Sequence, residues 1–314
     1  MEGYAVAFEA PMHGLAYWWV DVFATRAAIS GNRLMVFVPA GQVIEDEELC
    51  RRIAFEVGFS EVTFLVPDAG GPGEDAGRYR ARIFTPTDEL AYAGHPTLGS
   101  AVVWALETAP MVERLALSQR TSATVLRVQV ERRPDEIGHM AWAAVPDATL
   151  TGGVPVAEVA HALGCLAADL EPDGLPVRVA EGPNRQLLVP VRATALDAMV
   201  PVASAVAGIC RSLGVGLVYA FTPPDSDGRA RARGFGHGLG IPEDPATGSA
   251  AGYVARYLTA HERFAPGRRV VIEQGEKVGR PSELILARRK DGELTLGGTV
   301  RTVARGRFLP EFLA

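Results

Sequence analysis

The stretch Glu243 to Leu258, EDPATGSAAGYVARYL, decides how the rest of the chain is read. It predicts a tight turn feeding a helix: Pro245 suits the first helical turn, Thr247 and Ser249 can cap it, and Gly248 lets a ligand approach the backbone. Ala250, Ala251, Val254, Ala255 and Leu258 recur at helical spacing, so the helix has a face to bury while its N-terminus stays open. Bare amides at such a terminus make an anion site.

Upstream, His95-Pro96-Thr97-Leu98-Gly99-Ser100-Ala101 echoes Asp244-Pro245-Ala246-Thr247-Gly248-Ser249-Ala250, with Pro, Gly, Ser and Ala in the same slots. The copies lie 149 residues apart (95 against 244) in a chain of 314, and each follows Arg-Ala-Arg-x-Phe, Arg80 to Phe84 and Arg231 to Phe235. The repeat predicts an internal duplication in which two helix N-termini face each other across a cleft. One copy brings His95 and the other Asp244. Either residue alone reads as a helix cap; the matched pair reads as function.

A chain of this length suits two domains, and 48% hydrophobic residues suffice for two cores. Net charge is −6 with Lys and Arg scattered, so no basic stripe points to nucleic acid. No apolar run is long enough for a bilayer, and the first residues lack a basic n-region, so neither a membrane span nor a signal peptide is expected. Cys50, Cys165 and Cys210, odd in number and widely spaced, read as buried reduced thiols of a cytoplasmic protein.

Residues 1 to about 15 read as an extension. Strands are expected over Tyr17 to Phe23 and Leu34 to Val38, flanking a loop with a Gly31-Asn32 turn signal, then an amphipathic helix over Glu45 to Val57. Glu61 follows at the junction with a β-rich run. A carboxylate beside a helix C-terminus has its charged form disfavoured, which suits a proton carrier; an exposed edge glutamate is the bland reading. Asp68 to Gly77 reads as a polar loop and Pro96 to Leu106 as the first central helix. Arg132 to Asp135 is the expected crossing, giving a first half of 1–133 plus a returning strand at about 300–314, and a second half of 134–299. Strands outnumber helices and mostly follow other strands, so the expected class is α+β with largely antiparallel sheets.

Several motifs are absent. Gly234-Phe235-Gly236-His237-Gly238-Leu239-Gly240 spaces its glycines too closely for a dinucleotide fingerprint and reads as an approach to the Asp244 turn. There is no Walker lysine or Cys-x-x-Cys, and His261-Glu262 has no second histidine one turn on, so no metal is expected. Gly-x-Ser-x-Gly is missing, which makes Ser249 a poor acyl nucleophile.

The sequence resembles the PhzF-type phenazine-biosynthesis isomerases of the diaminopimelate epimerase-like superfamily. The resemblance covers roughly residues 17–305 and rests on VDVFATRAAISGN (20–32), IAFEVGFSEVTFLV (53–66), YRARIFTPTDELAYAGHPTLGSA (79–101), EDPATGSAAGYVARYL (243–258) and QGEKVGRPSEL (274–284). It implies two pseudo-symmetric halves, each a curved, mostly antiparallel barrel-like sheet around a central helix, with the site between them. It implies Glu61 as proton shuttle, His95 and Asp244 as supporting catalytic groups, and Gly94, Thr247, Gly248 and Ser249 around a substrate carboxylate. It further implies a cofactor-free reaction on a small-molecule carboxylate and a homodimer. Two-cysteine racemases of the superfamily carry a thiol in each duplicated turn; Ala93 and Ala246 stand there in this chain, which argues against thiol chemistry.

Arg33 follows Gly31-Asn32 where Pro is common in the family, Val62 replaces Thr, and Ala91-Tyr92 replaces Pro-Phe. Trans-2,3-dihydro-3-hydroxyanthranilate is the family's reference substrate, and the departures at 62, 91 and 92 keep a second branch open, which isomerises precursors of 4-alkylproline units. A non-catalytic small-acid binding protein is the reading from another class.

Overall fold

The computed structural model describes residues 14–39, 44–68, 77–133, 136–237, 240–309 and 312. Most of the expected N-terminal extension, nearly all of the loop between Asp68 and Gly77, and Pro134-Asp135 of the expected crossing lie outside the described residues.

The chain runs β1 (Leu15–Val22), β2 (Asn32–Val38), α1 (Glu47–Val57), β3 (Val62–Pro67), β4 (Arg78–Phe84), β5 (Glu89–Leu90), α2 (Gly94–Thr108), β6 (Arg114–Arg120), β7 (Val125–Glu131) and β8 (His139–Ala144). It continues through β9 (Thr149–Thr151), α3 (Val156–Leu163), β10 (Arg178–Glu181), β11 (Gln186–Pro190), α4 (Ala193–Ala198), α5 (Ala203–Leu213), β12 (Leu217–Phe221), β13 (Arg229–Gly236), β14 (Ile241–Asp244), α6 (Gly248–Ala260), β15 (Arg269–Gln274), β16 (Ser282–Arg288) and β17 (Leu294–Phe308).

Pairing closes a ring in the first half: β1 to β2, β3, β4, β6, β7, β8, β17 and back to β1, mixed but mainly antiparallel. In the second half β9, β10, β11, β12, β13, β15, β16 and β17 pair in that order. The architecture is therefore the expected α+β pair of curved sheets. Sequence reading puts β8 in the second half, yet it pairs with β7 and β17 and completes the first ring. β17 serves both sheets: Leu294–Gly297 pairs with β16, and Val300 to Phe308 returns to the first half against β1. At its glycines Gly297 and Gly298 the rings of Trp142 and Phe23 lie against the backbone; an added Cβ would come within 2.3 and 2.4 Å of those rings.

Helix α2 is buried from Gly94 through Ala105, and α6 from Gly248 through Ala255 plus Tyr257 and Leu258. A helix apolar all round belongs inside, and here each fills one curved sheet. Leu98, Val102, Val103, Val254 and Leu258 are fully buried, each such side chain contributing about 1.5–3 kcal/mol. α1 has the one-sided pattern of a cover, burying Cys50, Ile53 and Ala54 and ending at Gly58 in the left-handed region.

Candidate active site

Both central helices begin at the junction of the halves. α2 starts at Gly94 and α6 at Gly248, and neither start carries a side-chain cap. The first amides of each are thus left for something else to bind. The two starts touch: a Cβ on Gly94 would lie 2.5 Å from the Gly248 carbonyl carbon and from the Ser249 nitrogen. Pro245 lies outside α6, before its cap residue Thr247, whose hydroxyl donates to Asp244 Oδ2 (2.7 Å) instead of capping. The helix starts also correct the sequence echo. Gly94 and Gly248 are 154 residues apart, so the structural partner of His95 is Ser249, and Asp244 corresponds to the end of β5.

Beside this contact is a cavity of about 250 Å³ lined by Glu61, Gly94, His95, Asp244, Thr247, Gly248 and Ser249, with Leu90, Leu217 and Ile241 as apolar wall and Asn184, Arg185 and Gln186 from the second half. All seven residues singled out by sequence therefore meet in one place. Glu61 Oε2 is 3.6 Å from His95 Nε2, and neither atom has a hydrogen-bond partner. The Glu61 side chain is 15% exposed, its open side facing the cavity. Burial raises its pKa to about 7. The helix C-terminus expected to raise it is not the cause: α1 ends at Val57, and desolvation produces the shift.

Burial pushes His95 the other way, down to about 4, against smaller opposing effects of Asp244 and a backbone hydrogen bond at Arg33. The imidazole is neutral at neutral pH. Burial and then the nearby Glu61 charge raise the pKa of Asp244, yet both its oxygens accept hydrogen bonds, Oδ1 from Asn32 (2.8 Å) and Oδ2 from Thr247. Gln274 locks the turn: its amide nitrogen donates to the Asp244 carbonyl (2.8 Å) and to Thr247 Oγ1 (3.0 Å), and its oxygen accepts from Thr247 N (3.1 Å) and Tyr219 (2.9 Å). The first half repeats the device, with Gln119 bonded to Thr97 and Tyr79. Gln186 donates to Ser249 Oγ (2.7 Å).

Sequence reading missed Asn32, Gln186 and Gln274. Asn32 looked like half of a turn signal, Gln186 like a strand residue, and Gln274 only like the first residue of the stretch 274–284; in the structure Gln186 and Gln274 are buried polar side chains within strands. The glycine run reads correctly as an approach to Asp244: β13 and β14 form a hairpin with Gly234 opposite Asp244, while Gly238 and Leu239 lie outside the described residues. Among the described residues no cluster of side chains is suited to a metal, and no helix is long and apolar enough to cross a membrane.

Two curved sheets around buried helices, with a carboxylate, an imidazole and two bare helix starts at their junction, define a protein of the diaminopimelate epimerase-like fold. A hydroxyproline epimerase from Agrobacterium vitis, solved with trans-4-hydroxy-L-proline, has that fold at 13% identity (TM-score 0.63, 96% of this chain and 92% of that one). The chain belongs to the phenazine biosynthesis-like (PhzC-PhzF) family, whose model matches residues 20–306. It is similar to the trans-2,3-dihydro-3-hydroxyanthranilate isomerase of Pseudomonas aeruginosa, 31% identical over 296 residues, 93% of this chain and 98% of that protein. An uncharacterized isomerase of Escherichia coli is 29% identical over 267 residues, covering 83% and 86%. The solved structure of a predicted epimerase from Pseudomonas aeruginosa superposes with a TM-score of 0.78 at 32% identity, covering 94% and 99%.

Proposed function

We propose that this chain is an isomerase that moves a proton, and a double bond with it, within a small cyclic unsaturated amino or hydroxy acid. The observation that carries the reading is the unpartnered Glu61 Oε2, 3.6 Å from an equally unpartnered His95 Nε2 in a cavity flanked by two helix starts. A group with a pKa of about 7 is present in both forms at neutral pH, so Glu61 can take a proton from an allylic carbon and return it elsewhere on the conjugated system. Neutral His95 and Asp244 orient the ring. The amides of Gly94, His95, Gly248 and Ser249 receive the substrate carboxylate and the charge that develops during transfer. The shift is redox-neutral and balanced within the substrate, so it calls for no cofactor. The family resemblance adds a homodimer to the proposal, and the three widely spaced cysteines add a cytoplasmic location.

Trans-2,3-dihydro-3-hydroxyanthranilate, the substrate in the names of several relatives, is the first compound to test. Incubation in D₂O should give isomerised product carrying solvent deuterium. Glu61→Gln should lower turnover by about 10²–10⁴. Near-normal turnover of that variant would remove Glu61 as the proton carrier, and failure to turn over this compound while exchanging a 4-alkylproline precursor would move the substrate to the family's other branch.

A further inference from the structure

Asn32 opens β2 and reaches both halves of the site. Its amide nitrogen lies 2.8 Å from Asp244 Oδ1, 3.0 Å from the Ala246 carbonyl and 3.5 Å from His95 Nδ1, and the residue is 3% exposed. We infer that Asn32 is a positioning residue that holds Asp244 as a carboxylate and fixes His95 in the tautomer with Nδ1 protonated and Nε2 free to face Glu61. The inference deepens the proton-carrier reading and rests on it for its catalytic meaning.

The hydrogens on the Asn32 amide decide the tautomer. A side-chain amide nitrogen carries two, and the two short contacts are to oxygens that can only accept, so both are spent there. This also fixes the amide's orientation, since its oxygen cannot replace the nitrogen opposite two acceptors. None remains for His95 Nδ1. With no hydrogen left for it on Asn32, Nδ1 carries its own toward the Arg33 backbone, and Nε2, which has no partner, is the bare nitrogen. That leaves a lone pair on Nε2, 3.6 Å from Glu61 Oε2, placed to accept a proton from Glu61.

Asp244 accepts from Asn32 in the first half, from Thr247 in the second, and from the Ala246 backbone. A protonated carboxyl accepts more weakly than a carboxylate, so these donors favour the anion and oppose the upward push of burial and the Glu61 charge. The titratable groups facing Asp244 are Glu61 at the start of β3, His95 on α2 and Tyr219 on β12. Asn32 is held in turn by the tight turn at Gly31, where a Cβ would lie 2.6 Å from the Val22 carbonyl oxygen, and by Arg280, which donates to the carbonyls of Gly31 (2.7 Å) and Ser30 (3.0 Å).

The test is nuclear magnetic resonance on the free protein, which needs no substrate. Imidazole ¹⁵N shifts at neutral pH should show His95 protonated at Nδ1 alone; protonation at Nε2 alone overturns the inference. In Asn32→Leu the Asp244 carboxyl, followed by ¹³C, should titrate about one unit or more higher, and the His95 nitrogens should move toward a mixture of tautomers. A folded Asn32→Leu with both signals unchanged overturns it too. Should Asn32→Leu not fold, Thr247→Val removes the donor on the other oxygen and should give the same upward shift, absence of which counts against the inference. An active Glu61→Gln would sink the proton-carrier reading, while these shifts decide the role of Asn32 independently.

Discussion

Gly94 and Gly248 meet backbone to backbone, so that each helix start forms part of the wall of the other's site. A Cβ on Gly94 would sit 2.5 Å from the Gly248 carbonyl carbon, whereas one on Gly248 would have 3.1 Å to Gly94 and 3.0 Å to the Phe23 ring. The first contact is backbone against backbone and cannot be relieved by a rotamer. Gly94→Ala should therefore force the halves apart, costing about 1–3 kcal/mol in urea unfolding and most of the turnover, with Gly248→Ala the milder of the two. Equal stability of Gly94→Ala and the parent would show the contact to be looser than the structure has it.

Glu61 ties activity and stability to pH with opposite benefit. Its folded pKa of about 7 is above the unfolded value of about 4.5, so between these the native state binds the additional proton. Stability from this group is present below pH 4.5 and is lost as pH rises through 7, a cost of roughly 3 kcal/mol on the alkaline side. Glu61→Gln should accordingly exceed the parent in stability at pH 8 by up to that amount, and the gap should close below pH 5. Denaturant midpoints across pH measure it; a parallel offset at every pH would mean that Glu61 titrates normally.

Thiols should be dispensable. Burial pushes Cys50 to about 12 and raises Cys165, Cys210 is buried, and none of the three lines the cavity. Iodoacetamide at neutral pH should leave turnover within about twofold, with mass spectrometry reporting which sites reacted. Loss of activity in step with alkylation would bring sulfur back into the mechanism.

Arg233 clamps the strand that presents Asp244. Its guanidinium donates twice to Glu243 (2.9 and 2.8 Å) and to the carbonyls of Leu196 (3.2 Å) and Met199 (2.7 Å). Removing it strands Glu243, whose side chain is only 14% exposed. Arg233→Met should cost about 3–5 kcal/mol, and Arg233→Met with Glu243→Leu should recover a good part of it. Additive losses in the double variant would mean that the two side chains act separately.

Local signals carried much of this into the sequence. The helical spacing of small and apolar residues after Gly248, the Arg-Ala-Arg-x-Phe strands and the Gly-rich turns each record a nearby constraint, and through them and the family resemblance the fold and the residues of the cavity were legible. Distant relationships were not. The echo at 149 residues matched His95 to Asp244, while the helix starts pair at 154, because similar short motifs can sit five residues out of register on equivalent helices. The cause of the Glu61 shift lies in desolvation by the surrounding fold, which adjacent residues do not encode. Asn32 reaches Asp244 across 212 positions, so its part is visible only once the two halves are brought together.

β17 lends its first residues to the second sheet and its last to the first, against β1. The ring that contains Glu61 is thus sealed by a segment some 280 residues further along than the strand it lies beside, Leu15–Val22 against Val300–Phe308. During synthesis the first half must wait, open along β1, until that segment has cleared the ribosome, and so it cannot mature as an independent early unit. Chaperone demand for this protein should fall on that interval, when an apolar sheet edge is exposed and its closing strand has yet to emerge.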